Sequence, residues 1–399
     1  MAAKLLIGLV AVAASGCAGF VPSGHTANEL GPVRVETPRW AMAAGETAPA
    51  SCTNRPYAFE PTGELRHTRN DVFVTTQGDA RTHGRDVLVK LGAGAKVEAK
   101  FSYGPFAKDL EDEDVTLFVR LPDCEWTRLD TVRTDDRGIA TFKVPAALIS
   151  KRGAYAFEAV LDADGEAAPG TIYVIDDKTK AVVFDVDETL TTGNGELIEQ
   201  LVLDANPEMR QDANAIVREW DRAGWFVAYV TGRPHQLTDI TRKWLDANDF
   251  PQGILRTSEN FGVSMSGDAT QLYKATVMQD MIRTGLDFRY AYGNAATDIC
   301  AYSIAGIDPV RTFIVGPNAG QGCPGAKPTV ALASYTDQVG APILALAGVS
   351  DATAVAVAEP RRDATPVDAS PLPGAPVATP PLFGAAGTGL GAAGAVPVQ

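Results

Sequence analysis

Between residues 71 and 175 apolar and polar positions alternate in short runs, each closed by turn-forming residues. The pattern predicts strands at Asp71–Thr76, Asp86–Leu91, Lys96–Phe101, Asp114–Leu121, Ile139–Val144, Ala154–Leu161 and Thr171–Ile175. Asp135-Asp136-Arg137-Gly138 reads as a turn. Seven short strands over residues 55–176 predict a small immunoglobulin-like β-sandwich. The acidic run Glu111–Asp114 lacks the spaced oxygen ligands and glycine of a calcium loop, so it reads as a solvated loop.

From Lys180 the period changes. The apolar run Ala181–Val186 predicts a buried strand, and residues 207–222 a helix with Ala213, Ile216, Val217 and Trp220 on one face. Trp225–Thr231 reads as a second buried strand, and Pro234 opens a helix carrying Leu237, Ile240, Trp244 and Leu245 inward. A strand at Gly253–Ser258, a helix at Asp268–Thr284, a strand at Phe288–Gly293, a helix through Ala301 and a strand at Arg311–Gly316 follow. Alternating β and α elements over residues 177–349 predict an α/β fold with a doubly wound parallel sheet.

The flanks are different. Lys4, the apolar stretch Leu5–Val12 and the small residues before Cys17 read as a signal segment too short to span a membrane. Ala14-Ser15-Gly16-Cys17 resembles a bacterial lipobox, which implies lipidation at Cys17; Ala18 after it implies export to the outer membrane, facing the periplasm. Residues 18–54 read as a tether, and the Ala-, Pro- and Gly-rich residues 350–399 as a disordered tail. Cys52, Cys124, Cys300 and Cys323 permit two disulfides, within-domain pairs or either of two other connectivities. A net charge of −14 argues against a basic nucleic-acid-binding surface. The oligomeric state is not legible.

Four places in the second half carry chemistry. Asp185-x-Asp187-x-Thr189 ends the first predicted strand and Thr231-Gly232-Arg233 the second. Lys274 lies near the start of the third helix, and Gly293-Asn294-x-x-x-Asp298 follows the strand Phe288–Gly293. Ligands of open α/β sheets sit beyond the carboxyl ends of the strands, where two clustered carboxylates call for a cation or a proton. The constellation reads as phosphoryl transfer through an aspartyl phosphate, with magnesium offsetting the negative charge. In that reading Asp185 is nucleophile and ligand, Asp298 the second carboxylate ligand, and the Asp187 carbonyl the third protein ligand. The Asp187 side chain shuttles the proton, and Lys274 and Thr231 hold the phosphoryl oxygens. Thr189, Gly232, Arg233 and Asn294 are the expected substrate contacts.

The segments Val182–Thr191 (VVFDVDETLT), Tyr229–Pro234, Lys243–Gly253 and Tyr292–Tyr302 (YGNAATDICAY) resemble the haloacid dehalogenase superfamily. Within it they are most similar to the phosphatase domain of lipins and of the membrane-associated phosphatidylinositol transfer proteins. The resemblance covers residues 171–346 and implies magnesium-dependent hydrolysis or recognition of phosphatidate after a β-sandwich. Some transfer-protein members lack the first aspartate and only bind lipid, so the Asp185 present here points to catalysis. Two features depart from the lipin pattern: Glu188 replaces the usual glycine, and Asp-x-Asp-Glu-Thr also occurs in bacterial class C acid phosphatases.

The spacing Leu190–Pro207 and Arg233–Lys274 leaves no room for the cap domains of the superfamily, so a capless crevice open to bulky substrates is expected. Trp225, Phe261 and Tyr273 are more simply core residues than acyl contacts, and His235 is a possible headgroup contact. The expected partner is a phospholipid or other phosphomonoester substrate, at a membrane reached through the lipid anchor. The competing readings are a broad-specificity acid phosphatase and a non-catalytic phosphatidate-binding module.

Overall fold

The computed structural model describes residues 38–42, 57–67, 70–104, 107–193, 207–258 and 267–340, with a few backbone positions beside them. Cys17, Phe261 and the stretch 350–399 lie outside the described residues. Trp40, in the stretch read as a tether, is buried and meets the Phe226 ring edge-on at 4.9 Å.

A short helix α1 (Asn70–Thr75) precedes eight strands: β1 (His83–Gly84), β2 (Val87–Lys90), β3 (Ala95–Lys100), β4 (Asp114–Arg120), β5 (Trp126–Arg133), β6 (Ile139–Val144), β7 (Gly153–Leu161) and β8 (Ala167–Ile175). They form a three-stranded sheet, order β6-β3-β1, and a five-stranded sheet, order β2-β8-β7-β4-β5. Alternation decides which residues face inward: Ala95, Val97 and Ala99 of β3 are buried between more exposed neighbours and share a core with Leu117, Phe142, Phe157 and Ile172. The segment Asp71–Thr76, expected as a strand, lies mostly in α1, because its carbonyls satisfy local donors such as Thr76 Oγ1 rather than a sheet partner. The run Trp126–Arg133 is an additional strand. It sits at the sheet edge with much of its surface exposed and so shows weak apolar alternation.

The acidic run is divided in its roles. Glu113 is 2% exposed and accepts from the backbone N–H groups of Arg66 (2.9 Å) and His67 (3.0 Å), so it fixes the entry to the sandwich.

The α/β domain follows β8 after a three-residue turn. Its elements are β9 (Thr179–Phe184), α2 (Ala213–Arg222), β10 (Phe226–Pro234), α3 (Thr238–Ala247), β11 (Ile254–Ser258), α4 (Gly267–Thr284), β12 (Leu286–Gly293), α5 (Ala296–Ile304), β13 (Thr312–Ile314) and β14 (Val330–Ala331). The six strands are parallel, in the order β11-β10-β9-β12-β13-β14. Alternate residues of β9 serve both faces: Val182 and Phe184 pack with Trp220 and Trp244, while Ala181 and Val183 pack with Ala275, Met278 and Tyr302. The chain order reverses between β9 and β12, which opens a crevice at their carboxyl ends. Pro234 ends β10 rather than opening a helix; a 3-10 turn, His235–Leu237, intervenes before α3.

The sandwich and the sheet share a core. Tyr173 and Ile175 of β8 pack with Val183 and Phe226. Asp86, 1% exposed, joins the two: its carboxylate accepts from Thr171 N (2.9 Å), Leu255 N (2.8 Å) and both terminal nitrogens of Arg242 (3.2 Å each). Among the described residues no helix is long and apolar enough to cross a membrane.

Candidate functional site

Asp185 and Asp187 follow the end of β9, with Asp185 N held by the Tyr292 carbonyl at 3.0 Å. This backbone bond aligns the tip of β9 with that of β12, where Asn294 and Asp298 stand. Gly293 permits the approach: a Cβ there would meet the Asp298 side chain at 2.7 Å. Asp298 Oδ2 accepts from the backbone N–H groups of Asn294 (3.1 Å) and Ala295 (3.0 Å), fixing the start of α5.

Lys274, from the buried face of α4, bridges the pair across the crevice. Its Nζ donates to Asp185 Oδ1 and to Asp298 Oδ1, each at 2.6 Å, and all three side chains are nearly inaccessible. Burial pushes the Asp185 carboxyl up to about 7, opposed by Lys274 and reinforced by Asp298 and Asp187. Burial would lower the Lys274 ammonium, but the two carboxylates outweigh it and hold the proton firmly.

A second ion pair governs Asp187. Arg233 grips its carboxylate through Nε (3.0 and 3.2 Å) and Nη2 (2.7 Å), while Thr231 Oγ1 donates to it at 3.1 Å. Arg233 Nη1 is fixed in turn by Thr241 Oγ1 at 3.0 Å. Thr189 Oγ1 is shared between Asp185 Oδ2 and Asn294 Oδ1, both at 3.1 Å. A Cβ at Gly232 would meet the Thr270 methyl at 3.2 Å.

Glu188 has φ +56°, the left-handed region that glycine adopts at little cost. Three bonds hold the turn: Glu188 N to Thr191 Oγ1 (2.9 Å), Arg210 Nη2 to Glu188 O (2.7 Å), and Asn294 Nδ2 to Glu188 Oε2 (3.1 Å). The departure from glycine at this position is thus carried by side-chain contacts. Sequence reading missed Arg210, Tyr335, whose hydroxyl donates to Thr189 O at 3.1 Å, and Asn318, whose amide donates to Asn294 O at 2.9 Å. All three act across long chain separations on backbone carbonyls and have no motif.

All the expected site residues of this half converge at the sheet edge, but their bonds differ from the expected roles. Lys274 and Thr231 bind carboxylates, and the Asp187 carboxylate is locked by a guanidinium. Trp225 is in the core, and Tyr273 donates to the Thr257 carbonyl. His235 turns toward His83, with ring centroids 5.2 Å apart. The oxygen-rich donor set suits a hard cation. However, the position between Asp185 and Asp298 belongs to Lys274 Nζ, so the arrangement does not fit a magnesium ion held by both carboxylates. Among the described residues, no group of three or more His, Cys, Asp or Glu side chains is placed to hold a metal.

Cys300 of α5 is bonded to Cys323 (Cα–Cα 4.9 Å), and Cys124 is also disulfide-bonded.

Residues 182–316 match the family model "PITM 1-3, LNS2 domain", and residues 80–174 match "PITM 1-3, beta-sandwich domain". Similar proteins include protein retinal degeneration B of Drosophila melanogaster, 27% identical over 59% of this chain and 18% of that protein. Membrane-associated phosphatidylinositol transfer protein 1 of Homo sapiens is 28% identical over 58% of this chain and 18% of that protein. Membrane-associated phosphatidylinositol transfer protein 3 of Homo sapiens is 26% identical over 59% of this chain and 24% of that protein. The chain therefore spans between 18% and 24% of the length of these three.

These findings correct four expectations. Two of these three relatives are named phosphatidylinositol transfer proteins, which overturns the phosphatase reading, whether phosphatidate-directed or broad-specificity, and the hydrolase assignment with it. The metal-binding assignment falls with them, in keeping with the Lys274 bridge. These relatives are animal proteins, two of them named membrane-associated, which overturns the expected bacterial outer-membrane lipoprotein. The chain is a β-sandwich followed by an α/β domain, matched in turn by the PITM 1-3 beta-sandwich and PITM 1-3 LNS2 domain models.

Proposed function

We propose that this chain is a phospholipid-binding module that engages a hydroxyl-bearing headgroup at the carboxyl edge of its parallel sheet without hydrolysing it. The observation that carries the reading is the ion-paired state of that edge, with Lys274 across Asp185 and Asp298 and Arg233 across Asp187. A nucleophile must be free to attack and a proton shuttle free to exchange. Lys274 and Thr189 engage the Asp185 carboxylate and Arg233 and Thr231 that of Asp187, which favours fixed hydrogen-bond acceptors over a nucleophile and a proton shuttle.

Four acids (Asp185, Asp187, Glu188, Asp298) face three bases (Lys274, Arg233, Arg210), a formal balance of −1. Such an edge repels a bare phosphate and suits hydroxyl donors. The Asp187 side chain is 24% exposed, and Glu188 is half-buried beside it. The proposed contacts are Asp187, Glu188, the Gly232 N–H and Asn294. Asp185, Thr189, Thr231, Arg233, Lys274 and Asp298 form the scaffold that orients them. Leu272, 65% exposed and two residues from the Thr270 that neighbours Gly232, offers an apolar contact for a bilayer. The names of the similar proteins, phosphatidylinositol transfer proteins associated with membranes, support the same ligand class. The capless superfamily likeness and the division at residues 176 and 177 belong to the same proposal.

The test is flotation with phosphatidylcholine vesicles, alone or doped with phosphatidylinositol or phosphatidate. Binding to the phosphatidylinositol vesicles is expected, weakened about tenfold (about 1.4 kcal/mol) by Asp187→Asn with Glu188→Gln. Equal binding by wild type and double variant would remove the sheet edge as the site.

A further inference from the structure

A cavity of about 470 Å³ lies between the sandwich and the α/β domain, away from the carboxylate cluster. Its size is that of a small-molecule site. We propose that this cavity binds a phosphate ester, free or carried on a lipid headgroup, through Arg256 and Lys100. It stands independently of the headgroup reading above, because it uses other residues and opposite electrostatics.

The chain carries a net charge of −14, yet four cationic side chains line this one cavity: Arg85, Lys100, Arg137 and Arg256. Three acids also line it, but Asp86 is turned to Arg242 and two backbone N–H groups. Glu98 is paired with Arg85, Asp109 with Lys100, and Arg137 with Asp135 beside the cavity, so the one lining cation left over is Arg256, among the described residues. Arg256 reaches across the domain junction and donates to the Asp86 carbonyl; it has no carboxylate partner among the described residues. A partly buried guanidinium bound only to a neutral carbonyl keeps donors for a bidentate oxyanion. Lys100, 13% exposed at its side chain, donates to Asp109 at 2.6 Å and to the Arg137 carbonyl, which places an ammonium on the wall nearby. His83 and His235 line the cavity with their rings side by side.

The surroundings of His83 report the same positive field. Burial, then His235, Arg242, Lys100 and Arg85, push its imidazole down to about 3, so it stays neutral and leaves one ring nitrogen as a donor. The site would hold the ester by charge-assisted hydrogen bonds alone.

The chain has four histidines, so the imidazole signals of His83 and His235 are readable by nuclear magnetic resonance of the full chain. Inorganic phosphate and inositol 1,4,5-trisphosphate serve as soluble probes. Phosphatidylcholine vesicles doped with phosphatidylinositol 4-phosphate serve as the lipid probe. A saturable shift of His83 with a soluble probe is expected, with affinity lowered about tenfold in Arg256→Gln and in Lys100→Gln. If the ester arrives on lipid, the same variants weaken vesicle flotation as well; if it arrives free, flotation is unchanged while the His83 shift persists. Thermal melting of both variants separates lost binding from lost folding. A His83 signal that does not saturate with any probe, or that saturates equally in folded Arg256→Gln and Lys100→Gln, overturns the proposal. Loss of headgroup binding in Asp187→Asn, with the His83 response retained, would leave this site standing on its own.

Discussion

Replacing Lys274 by methionine tests the electrostatics at the heart of the sheet edge. Methionine keeps most of the volume and removes only the ammonium, leaving Asp185 and Asp298, 4% and 0% exposed at their side chains, without the cation 2.6 Å from each. Breaking a buried pair by removing one partner costs about 3–5 kcal/mol, because an uncompensated charge stays buried. The chain can lessen that cost by taking up a proton on Asp185, already raised to about 7 by burial. A raised carboxyl stabilises below its unfolded value and loses that contribution as pH rises through the folded value. The penalty of Lys274→Met should therefore be larger at pH 8 than at pH 5, with the upper figure reached at pH 8. Urea unfolding followed by tryptophan fluorescence reads this directly, since Trp40, Trp220, Trp225 and Trp244 lie in the cores of the α/β domain. Combining the change with Asp298→Asn should recover at least about 1 kcal/mol, as expected for groups in one network. A penalty below about 1 kcal/mol, or one identical at the two pH values, refutes the bridge.

Other predictions concern the junction and the covalent frame. Asp86→Ala strips Arg242 of its carboxylate and two N–H groups of their acceptor, and should cost about 2–3 kcal/mol while making the junction between sandwich and sheet more open to limited proteolysis. His83 is held neutral down to about 3 when folded and to about 6.5 when unfolded. The unfolded chain therefore binds the extra proton between those values, and stability falls as pH falls through that window, by at most about 1.4 kcal/mol per unit. His83→Gln should flatten that slope in urea titrations. Removing the Cys300–Cys323 bridge, whose cysteines stand 23 residues apart, by replacing both with serine should lower stability by about 3 kcal/mol, measurable as a fall in Tm against the unreduced parent chain.

Periodicity made most of the architecture legible. The switch from alternation to helix–strand repeats after Lys180 corresponds to the parallel sheet, because both its faces are covered and its strands read as continuous apolar runs. The turn at Asp135–Gly138 is present, with Asp135 Oδ1 accepting from Arg137 N and Ile139 N and Gly138 at φ +66°. Local pattern failed where long-range pairing decides. Val72, Phe73 and Val74 alternate poorly enough to fit either period, and they form a turn of helix. Trp126–Arg133 is recruited as an edge strand by β4, a partner no local window contains.

The site shows the same division. Its membership was legible because strand ends converge at a switch point, and three of the four motifs stood at such an end with Lys274 on a neighbouring helix. Its wiring was not. Whether Lys274 faces a ligand or bridges Asp185 and Asp298 depends on how far α4 sits from the tips of β9 and β12, and no spacing along the chain encodes that distance. The grip of Arg233 on Asp187 likewise follows from Thr241 on α3 fixing the guanidinium. Three ion-paired aspartates look identical in sequence to three catalytic ones.

The most direct measurement places both outcomes in one sample. Purified full-length chain is mixed, with magnesium present, with phosphatidylcholine vesicles doped with phosphatidylinositol or with phosphatidate, and bound protein and released inorganic phosphate are measured together. The account predicts vesicle binding that depends on Asp187 and Glu188, and phosphate release no greater than in buffer. Phosphate release from phosphatidate that is abolished by Asp185→Asn would contradict it.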